Sequence, residues 1–442
     1  MKRAIAALAL VLVPATAAAN GRFPYANQLV VAPTDPTRLT MRTTYGVLQS
    51  FDAGARWLWL CETSIGYGGT LDPAIAVTAE GRLLAGLFGA GVATSSDRGC
   101  TFTSDAAPFT GLYVIDLAVD PSNPSRVVAI TSSGSAGGTF TVVVGESVDG
   151  GATWKQLGAA LPPTFNAETI EVAASRKERL YASGSRTGVP SDAGADGEVG
   201  PAGRVGLLYR SDDHGASWKE LPVDLEGGLA AFVSAVDPKD PDRIYVRVSA
   251  DPKSGSTTDH LLFSPDGGAS FTRVAASKGS MLGLALSPDG SKIAYGGPSD
   301  GVVVASTKDH VFTAKSAVGA RCLTWAAAGL YACSADFPDG FTLGLSKDDG
   351  ASFAPLYKLA QLSQLECPSG TPTRTLCPRE WPATRDKLGI PTPDAGPVDA
   401  GPVTPTTPPA DEGCGCHLGR AAGSSGLVFA LLLAVRAARR RR

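Results

Sequence analysis

The sequence has very little histidine, and it has no local cluster of metal-binding side chains. Its 442 residues contain eight cysteines and four histidines, which are His214, His260, His310 and His417. No Cys-x-x-Cys pair and no cysteine–histidine group has the spacing of a zinc site. So few histidines also argue against a Ser–His–Asp catalytic group. The sequence therefore predicts neither a bound metal nor a cofactor.

The sequence also lacks a basic patch. It holds 39 Lys+Arg against 42 Asp+Glu, a formal net charge of −3. Residues 1–19 hold two basic residues, and the residues after Cys416 hold six arginines. If both ends are removed, 31 Lys+Arg remain against 42 Asp+Glu, a net charge of −11. Basic residues are nowhere interleaved with aromatics. Nucleic acid is therefore excluded as an expected partner.

No apolar run reaches the roughly 20 residues of an ordinary membrane-spanning helix. The chain opens with MKRAIAALALVLVPATAAAN, which has a basic start, a ten-residue apolar run and an Ala-x-Ala ending at Ala19. This pattern predicts a signal peptide over residues 1–19 and a mature chain from Asn20, with a retained anchor as the alternative. In an exported chain, the cysteines are predicted to form disulfides.

The C-terminal end has three successive elements. Residues 391–413 are rich in proline and predict an extended linker. After them come Cys414 and Cys416, then a short apolar stretch, and finally an arginine cluster at 436–442. Residues 414–442 resemble the MYXO-CTERM class of bacterial sorting tails. The resemblance implies a short transmembrane helix and cleavage by a membrane protease near the cysteines. It further implies anchoring at the cell surface or outer membrane of a Gram-negative bacterium. A plain membrane anchor is the alternative.

The body of the chain repeats one octapeptide, Ser-x-Asp-x-Gly-x-Ser/Thr-aromatic. It reads SVDGGATW at 147–154, SDDHGASW at 211–218 and SPDGGASF at 264–271. A seventh copy at 306–312, STKDHVF, keeps the serine and the aromatic residue but loses the glycine. The aspartates of the six clear copies are Asp52, Asp97, Asp149, Asp213, Asp266 and Asp348.

Two alternating apolar strands, joined by a polar turn, precede every octapeptide. Clear examples are DLAVDPSNPSRVVAIT and VSAVDPKDPDRIYVRV. Each unit then has strands A to D, with the octapeptide between C and D, which is the pattern of a propeller blade. The sequence predicts an all-β chain with a single seven-bladed propeller of four-stranded antiparallel blades over residues 20–360. A disulfide-containing extension over 361–390 follows, and we expect a monomer.

The octapeptide resembles the Asp box, or BNR repeat, of sialidases, sortilin-type receptors, xyloglucan-degrading glycosidases and photosystem-assembly propellers. Since these families do unrelated jobs, the resemblance implies a fold rather than a function. It also implies that the octapeptides lie on the face away from any active site. The Ser and Asp side chains can accept hydrogen bonds from turn amides, and the Gly can adopt positive φ. The repeated aspartates are therefore predicted to be structural.

The longest loops are expected on the face opposite the octapeptides. They cover residues 185–206 in blade 4, 249–260 in blade 5 and 61–73 between blades 1 and 2. Loops of variable length on a rigid scaffold often carry function, although 185–206 also reads as a neutral insertion. We predict ligand-binding residues in these loops at Glu62, Tyr67, Arg186, Asp251 and Lys253.

Three disulfides are predicted. A tight loop after Trp325 pairs that residue with Leu330, which sets Cys322 opposite Cys333. The other two bridges are predicted from the positions of the cysteines along the chain. Cys367–Cys377 would close a small loop, and Cys61–Cys100 would join blades 1 and 2.

These patterns favour an exported, surface-anchored propeller that acts as a non-enzymatic binding or adhesion module for a protein or glycan. The alternative is a sialidase-like glycoside hydrolase with its site opposite the octapeptides. The Arg-x-Pro motif at 22–24 resembles the start of sialidases. The other arginines and the catalytic residues of sialidases have no recognisable counterpart motif in this sequence. Three arginines converging on the loop-rich face would favour the enzyme.

Overall fold

Seven blades of four antiparallel strands follow one another along the chain, each with its strands in the order A, B, C, D. The computed structural model describes residues 23–69, 71–187 and 203–391. The predicted signal peptide, residues 188–202 of the blade 4 loop, and the predicted tail with Cys414 and Cys416 lie outside the described residues and stay predictions.

The first three blades are built from twelve strands. These are β1 (Ala26–Val31), β2 (Leu39–Thr43), β3 (Gly46–Ser50) and β4 (Trp57–Leu60) in blade 1, β5 (Ile75–Val77), β6 (Leu83–Gly86), β7 (Val92–Ser95) and β8 (Thr103–Asp105) in blade 2, and β9 (Tyr113–Val119), β10 (Val127–Ser132), β11 (Val142–Ser147) and β12 (Lys155–Gln156) in blade 3.

Sixteen further strands complete blades 4 to 7. These are β13 (Asn166–Val172), β14 (Leu180–Thr187), β15 (Arg204–Ser211) and β16 (Lys219–Val223) in blade 4, β17 (Ala230–Val236), β18 (Ile244–Ser249), β19 (His260–Ser264) and β20 (Thr272–Ala276) in blade 5, β21 (Gly283–Leu286), β22 (Lys292–Gly297), β23 (Gly301–Ser306) and β24 (Thr313–Ser316) in blade 6, and β25 (Cys322–Ala326), β26 (Gly329–Cys333), β27 (Leu343–Ser346) and β28 (Ala354–Tyr357) in blade 7.

The innermost strands of the blades form a closed ring. Each strand A contacts the strand A of the next blade, and β25 of blade 7 contacts β1 of blade 1. The apolar core lies between neighbouring blades, where buried aliphatic side chains of facing sheets pack together. The predicted all-β, seven-bladed propeller with four-stranded antiparallel blades is confirmed.

Each octapeptide closes its own turn through hydrogen bonds of its serine and aspartate. In the blade 3 copy, Ser147 Oγ donates to Asp149 Oδ1 (2.8 Å) and accepts from the Gly151 amide (2.8 Å). Asp149 Oδ1 also accepts from the Thr153 amide (2.9 Å). Gly151 has φ 84°, which disfavours a residue with a β-carbon. The same three bonds recur in the five other clear copies.

These bonds keep the aspartates ionised. Hydrogen bonds from the Ser217 hydroxyl and amide and from the Ser211 hydroxyl lower the pKa of Asp213 to about 2. A carboxyl with so low a pKa holds no proton to donate near neutral pH. The aspartate therefore acts as a hydrogen-bond acceptor within its own turn.

The octapeptides lie on the same face as the A–B turns. The amides of Gly150, His214 and Gly267 donate to carbonyls in the A–B turns of their own blades, at 2.8, 3.0 and 2.7 Å. We call this end, with the A–B turns and octapeptides, the turn face. The opposite end, with the B–C and D–A loops, is the loop face.

A basic residue at the start of strand B links six of the blades to the next blade. Arg126 Nη1 donates to the Lys177 carbonyl of blade 4 (2.8 Å), and Arg243 Nη2 donates to the Thr307 carbonyl of blade 6 (2.9 Å). In blade 7 the equivalent residue is Gly329. The six basic residues are Arg38, Arg82, Arg126, Arg179, Arg243 and Lys292.

The seam between blades 7 and 1 is closed by direct side-chain contacts. Thr324 Oγ1 donates to the Leu29 carbonyl (2.9 Å), and Trp57 Nε1 donates to the Leu356 carbonyl (3.3 Å). Trp57 also packs against the Tyr357 ring at 5.3 Å between centroids. Buried aromatic packing therefore joins the first and last blades.

After blade 7 the chain crosses to blade 1. There β29 (Leu362–Gln364) adds a fifth strand, parallel to β4. The helix Pro372–Leu388 follows; the other two helices, Glu62–Ile65 and Asp336–Asp339, are single turns, as are the 3₁₀ segments Pro252–Ser254 and Leu359–Gln361. None of the helices in the described ranges is long and apolar enough to cross a membrane.

The disulfides correct two of the three predicted pairings. Cys322 is bonded to Cys333, as predicted, and Trp325 does pair with Leu330. The predictions Cys367–Cys377 and Cys61–Cys100 are wrong. The bonded pairs are Cys61–Cys377 and Cys100–Cys367.

The physical reason for the error is the docking of the C-terminal extension. Strand β29 directs the segment after blade 7 along blade 1, so Cys367 meets Cys100 in blade 2 and the following helix brings Cys377 to Cys61. That helix was also missed. Pro372 in its first turn and Gly389 after its last were readable start and stop signals.

Candidate functional site

Four inner strands carry a β-bulge, which lies toward the loop face in β1, β9 and β13 and toward the turn face in β17. In β1, β13 and β17 the extra residues are Asn27, Glu168 and Ser234, and in β9 the extra residue is Ile115. A bulge re-aims a side chain and is common beside binding sites. Three of the four bulges carry polar side chains on the ring of inner strands.

Asp116 and Glu171 are two acidic residues on neighbouring inner strands. Asp116 Oδ1 and Oδ2 accept from the amides of Leu117 (2.9 Å) and Ile170 (3.1 Å), which ties blade 3 to blade 4. Burial raises the pKa of Asp116. Burial, and then the nearby Asp116 charge, raise the pKa of Glu171 to about 8. Glu171 therefore retains a proton at neutral pH.

Glu168 is a third carboxyl with a raised pKa. Burial raises its pKa to about 7, against the opposing charges of Arg247 and Arg204 and a hydrogen bond from Asn166 Nδ2 (3.1 Å). The Glu168 carboxyl therefore changes charge near neutral pH. Perturbed carboxyls of this kind gather at functional sites, and they also occur in purely structural networks.

Replacing Glu171 with glutamine is expected to flatten the dependence of stability on pH. The folded pKa of Glu171 (about 8) lies above its ordinary 4.5, so the folded state binds the proton more tightly. Its stabilisation is complete below pH 4.5 and is lost as pH rises through about 8. Allowing for partial solvation, wild type should lose about 1–3 kcal/mol more than E171Q between pH 5 and 9.

Urea unfolding at the two pH values measures this difference, with the exposed Glu366→Gln as the control. E366Q should follow wild type. An E171Q protein with the wild-type slope would contradict the assignment of the protonated carboxyl to Glu171.

Three arginines near the loop face each have a separate protein partner. Arg42 Nε donates to Asn27 Oδ1 (2.8 Å), and Arg247 Nη1 donates to Asp259 Oδ2 (3.1 Å). Arg321 stacks over the Tyr25 ring at 3.5 Å. The separate partners differ from the arrangement in which several guanidinium groups hold one substrate carboxylate.

The predicted ligand-binding residues lie at three separate places on the loop face. Glu62 begins the helical turn after blade 1, and buried Tyr67 lies beyond it, close enough to Arg42 for electrostatic interaction. Arg186, in blade 4, pairs with Glu220 (2.7 Å). The other two share the blade 5 loop, where the Asp251 carboxylate accepts from the amide of exposed Lys253 (2.8 Å).

Sequence reasoning missed a set of exposed apolar side chains. Among the described residues, seven large apolar side chains are exposed, and five of them lie at the loop face. Phe337 is 91% exposed and Phe23 is 71% exposed, whereas the two on the turn face are Val148 and Val311. The loop-face members are Phe23, Leu71, Tyr113, Leu282 and Phe337. We call these five the apolar rim.

A small cavity lies beside the apolar rim in blades 5 and 6. It has a volume of about 310 Å³, and its lining includes Arg247, Ser249, Asp259 and Leu282. Asp259 is buried and accepts from Arg247 and from the Met281 amide (2.9 Å). In the part of the chain described, no group of three or more His, Cys, Asp or Glu side chains could hold a metal ion.

No family model matches the chain, and no curated protein matches it either. Solved structures do resemble it. An ancestral GH74 enzyme is similar with 15% identity and a TM-score of 0.46, over 75% of this chain and 37% of that one. The chain thus spans well under half of that structure.

Two further similar structures are not GH74 enzymes. Hydrazine synthase of Kuenenia stuttgartiensis has 13% identity and a TM-score of 0.45, over 67% of this chain and 99% of that one. YCF48 bound to a D1 peptide has 11% identity and a TM-score of 0.41, over 64% and 80%. At these values the similarities assign neither a ligand nor a reaction to this chain.

Proposed function

We propose that this chain is an exported, surface-anchored propeller that acts as a non-enzymatic binding or adhesion module for a protein or glycan, which it engages through the loop face. The three disulfides indicate an oxidising compartment, outside the cytoplasm. The surface anchor rests on the resemblance of residues 414–442 to a sorting tail.

The apolar rim carries the proposal. Large apolar side chains scattered singly on a surface need no explanation. Here five of the seven exposed ones among the described residues lie on the loop face, and this uneven distribution supports an interaction surface there. Here the rim includes three aromatic residues, Phe23, Tyr113 and Phe337. Aromatic side chains are enriched at the centres of protein interfaces, and their rings also stack on sugars.

The octapeptides and basic residues of the turn face make mainly structural interactions, which supports assigning the main binding surface to the other end. There the octapeptide aspartates accept hydrogen bonds from their own turns, and Arg179 donates to Asp242 of the next blade (2.6 Å). These groups maintain the blades in register. The loop face holds the longer and more varied loops.

A sialidase-like glycoside hydrolase remains the second candidate because of one observation. Glu171 keeps its proton at neutral pH beside a second carboxyl, Asp116. Most glycoside hydrolases use a protonated acid and a second carboxylate in this way, whereas sialidases use a tyrosine nucleophile in place of the second carboxylate. Against this, both Asp116 oxygens accept from backbone amides of the inner strands, as a structural link would.

Binding by rim variants tests the proposal. Purified protein ending at Pro391 is compared with Phe23→Ser/Phe337→Ser and with the matched turn-face variant Val148→Ser/Val311→Ser. The probes are outer-membrane preparations and immobilised cell-surface polysaccharide. Loss of two exposed aromatic anchors should weaken binding about thirtyfold or more, while the turn-face variant keeps wild-type affinity.

Turnover of sialosides, xyloglucan and bacterial glucans is measured on the same proteins. The binding proposal predicts no product. Turnover that disappears in Glu171→Gln would establish the hydrolase instead. Equal binding by the rim and turn-face variants would overturn the assignment of the loop face.

A further inference from the structure

Blade 7 departs from the other six blades on the turn face. Its A–B turn consists of Ala327 and Ala328 alone, because Ala326 pairs with Gly329. In each of the other blades, at least five residues lie between the last residue of strand A that pairs with strand B and the first residue of strand B. The basic residue that links each of those blades to the next is also replaced here, by Gly329.

The short turn leaves a cavity between blades 6 and 7. Its volume is about 470 Å³, which lies in the range of small-molecule sites. The A–B turns of both blades and the blade 7 octapeptide form its walls. The side chains relevant to recognition are Asp289, Ser291, Lys292, Trp325, Lys347 and Asp349.

Trp325 supplies the apolar wall. The ring packs on the buried cluster that includes Leu330 and Ala332, and it stays partly exposed toward the cavity. The strand pairing of Trp325 with Leu330 holds its backbone in a regular sheet. An aromatic ring fixed in this way presents an apolar, polarisable surface at the cost of little side-chain entropy.

The polar groups of the cavity balance in charge. Lys292 Nζ is paired with Asp349 Oδ2 (2.5 Å), and the Asp289 carboxylate and exposed Lys347 also line the cavity. Asp289 is fixed by hydrogen bonds from the Ser291 amide (3.0 Å) and hydroxyl (2.8 Å). Two acids and two bases leave no net charge, so the lining favours neither an anion nor a cation.

We propose that this cavity binds a neutral saccharide, with the apolar face of one pyranose stacked on Trp325 and its hydroxyls hydrogen-bonded to Asp289, Ser291 and Lys347. The combination of a fixed ring, a carboxylate, a hydroxyl and an ammonium supplies both donors and acceptors without a charge preference. The site lies on the turn face and is independent of the loop-face function proposed above.

Calorimetric titration of the purified full-length chain tests the site. The probes are cellotetraose, maltotetraose and chitotetraose, with trigalacturonate as the charged comparison. At least one neutral probe should bind, and Trp325→Ala should weaken its affinity about tenfold. Trp325→Phe should keep most of the affinity, which separates loss of stacking from loss of folding.

Trp218→Phe is the matched control, because Trp218 is another half-buried tryptophan on the turn face. It should bind as wild type. Three results would overturn the proposal: no binding of any neutral probe at millimolar concentration, unchanged affinity in Trp325→Ala, or stronger binding of trigalacturonate than of every neutral probe.

Discussion

Replacing Arg126 with alanine is expected to lower the free energy of unfolding by about 3 kcal/mol. Its guanidinium is 6% exposed and pairs with Asp120 (3.1 Å) and Glu146 (2.6 Å), which are 0% and 7% exposed. It also donates to the Lys177 carbonyl of the next blade. Removing it leaves buried Asp120 without its cation and leaves Glu146 with only the exposed Lys155 (3.2 Å), which is costlier than losing the pair as a whole.

Chemical unfolding of Arg126→Ala measures this loss, with Arg186→Ala as the control. Arg186 pairs with Glu220 at nearly the same distance, but the two side chains are 36% and 38% exposed. Exposed pairs contribute under about 1 kcal/mol. If the two variants lost equal stability, the blade-to-blade basic residues would not stabilise the turn face as described.

Removing both disulfides of the C-terminal extension is expected to cost more than about 5 kcal/mol, the value that the chain-entropy relation gives for one such long loop alone. Cys61–Cys377 and Cys100–Cys367 bridge residues 316 and 267 apart, so they restrict the unfolded chain strongly. A quadruple Cys→Ser variant is needed, because either bridge alone already shortens the loop that the other one closes.

The matched control removes Cys322–Cys333, whose residues lie 11 apart. The chain-entropy relation gives about 3 kcal/mol for so short a loop. Thermal or chemical unfolding compares the two variants. Equal losses would show that the two long-range disulfides do not fix the extension to blades 1 and 2, and so would non-reducing peptide mapping that found Cys61–Cys100 and Cys367–Cys377.

The blade count was predictable because its signal is local. Each octapeptide satisfies its own turn, so the residues needed for the Ser147–Asp149–Gly151 hydrogen bonds stand within five positions of one another. The Cys322–Cys333 bridge was predictable for the same reason, as one hairpin sets its register. The basic residue before strand B was equally readable and was overlooked.

The docking of the C-terminal extension was not predictable in this way. The two wrong disulfides paired cysteines by nearness along the chain, whereas the real partners meet only after β29 docks on blade 1. The candidate functional site was even harder to predict from the sequence. The bulges at Asn27 and Glu168 depend on strand register, and no residue pattern marks them.

The division of the molecule into a turn face and a loop face is tested most directly by photo-crosslinking. A photoreactive amino acid is placed at Phe337 on the loop face or at Val148 on the turn face, which are 91% and 58% exposed. Each protein is then incubated with intact surface preparations and irradiated. The account predicts specific crosslinked products from position 337 and none from position 148. Crosslinks from position 148 alone would contradict it.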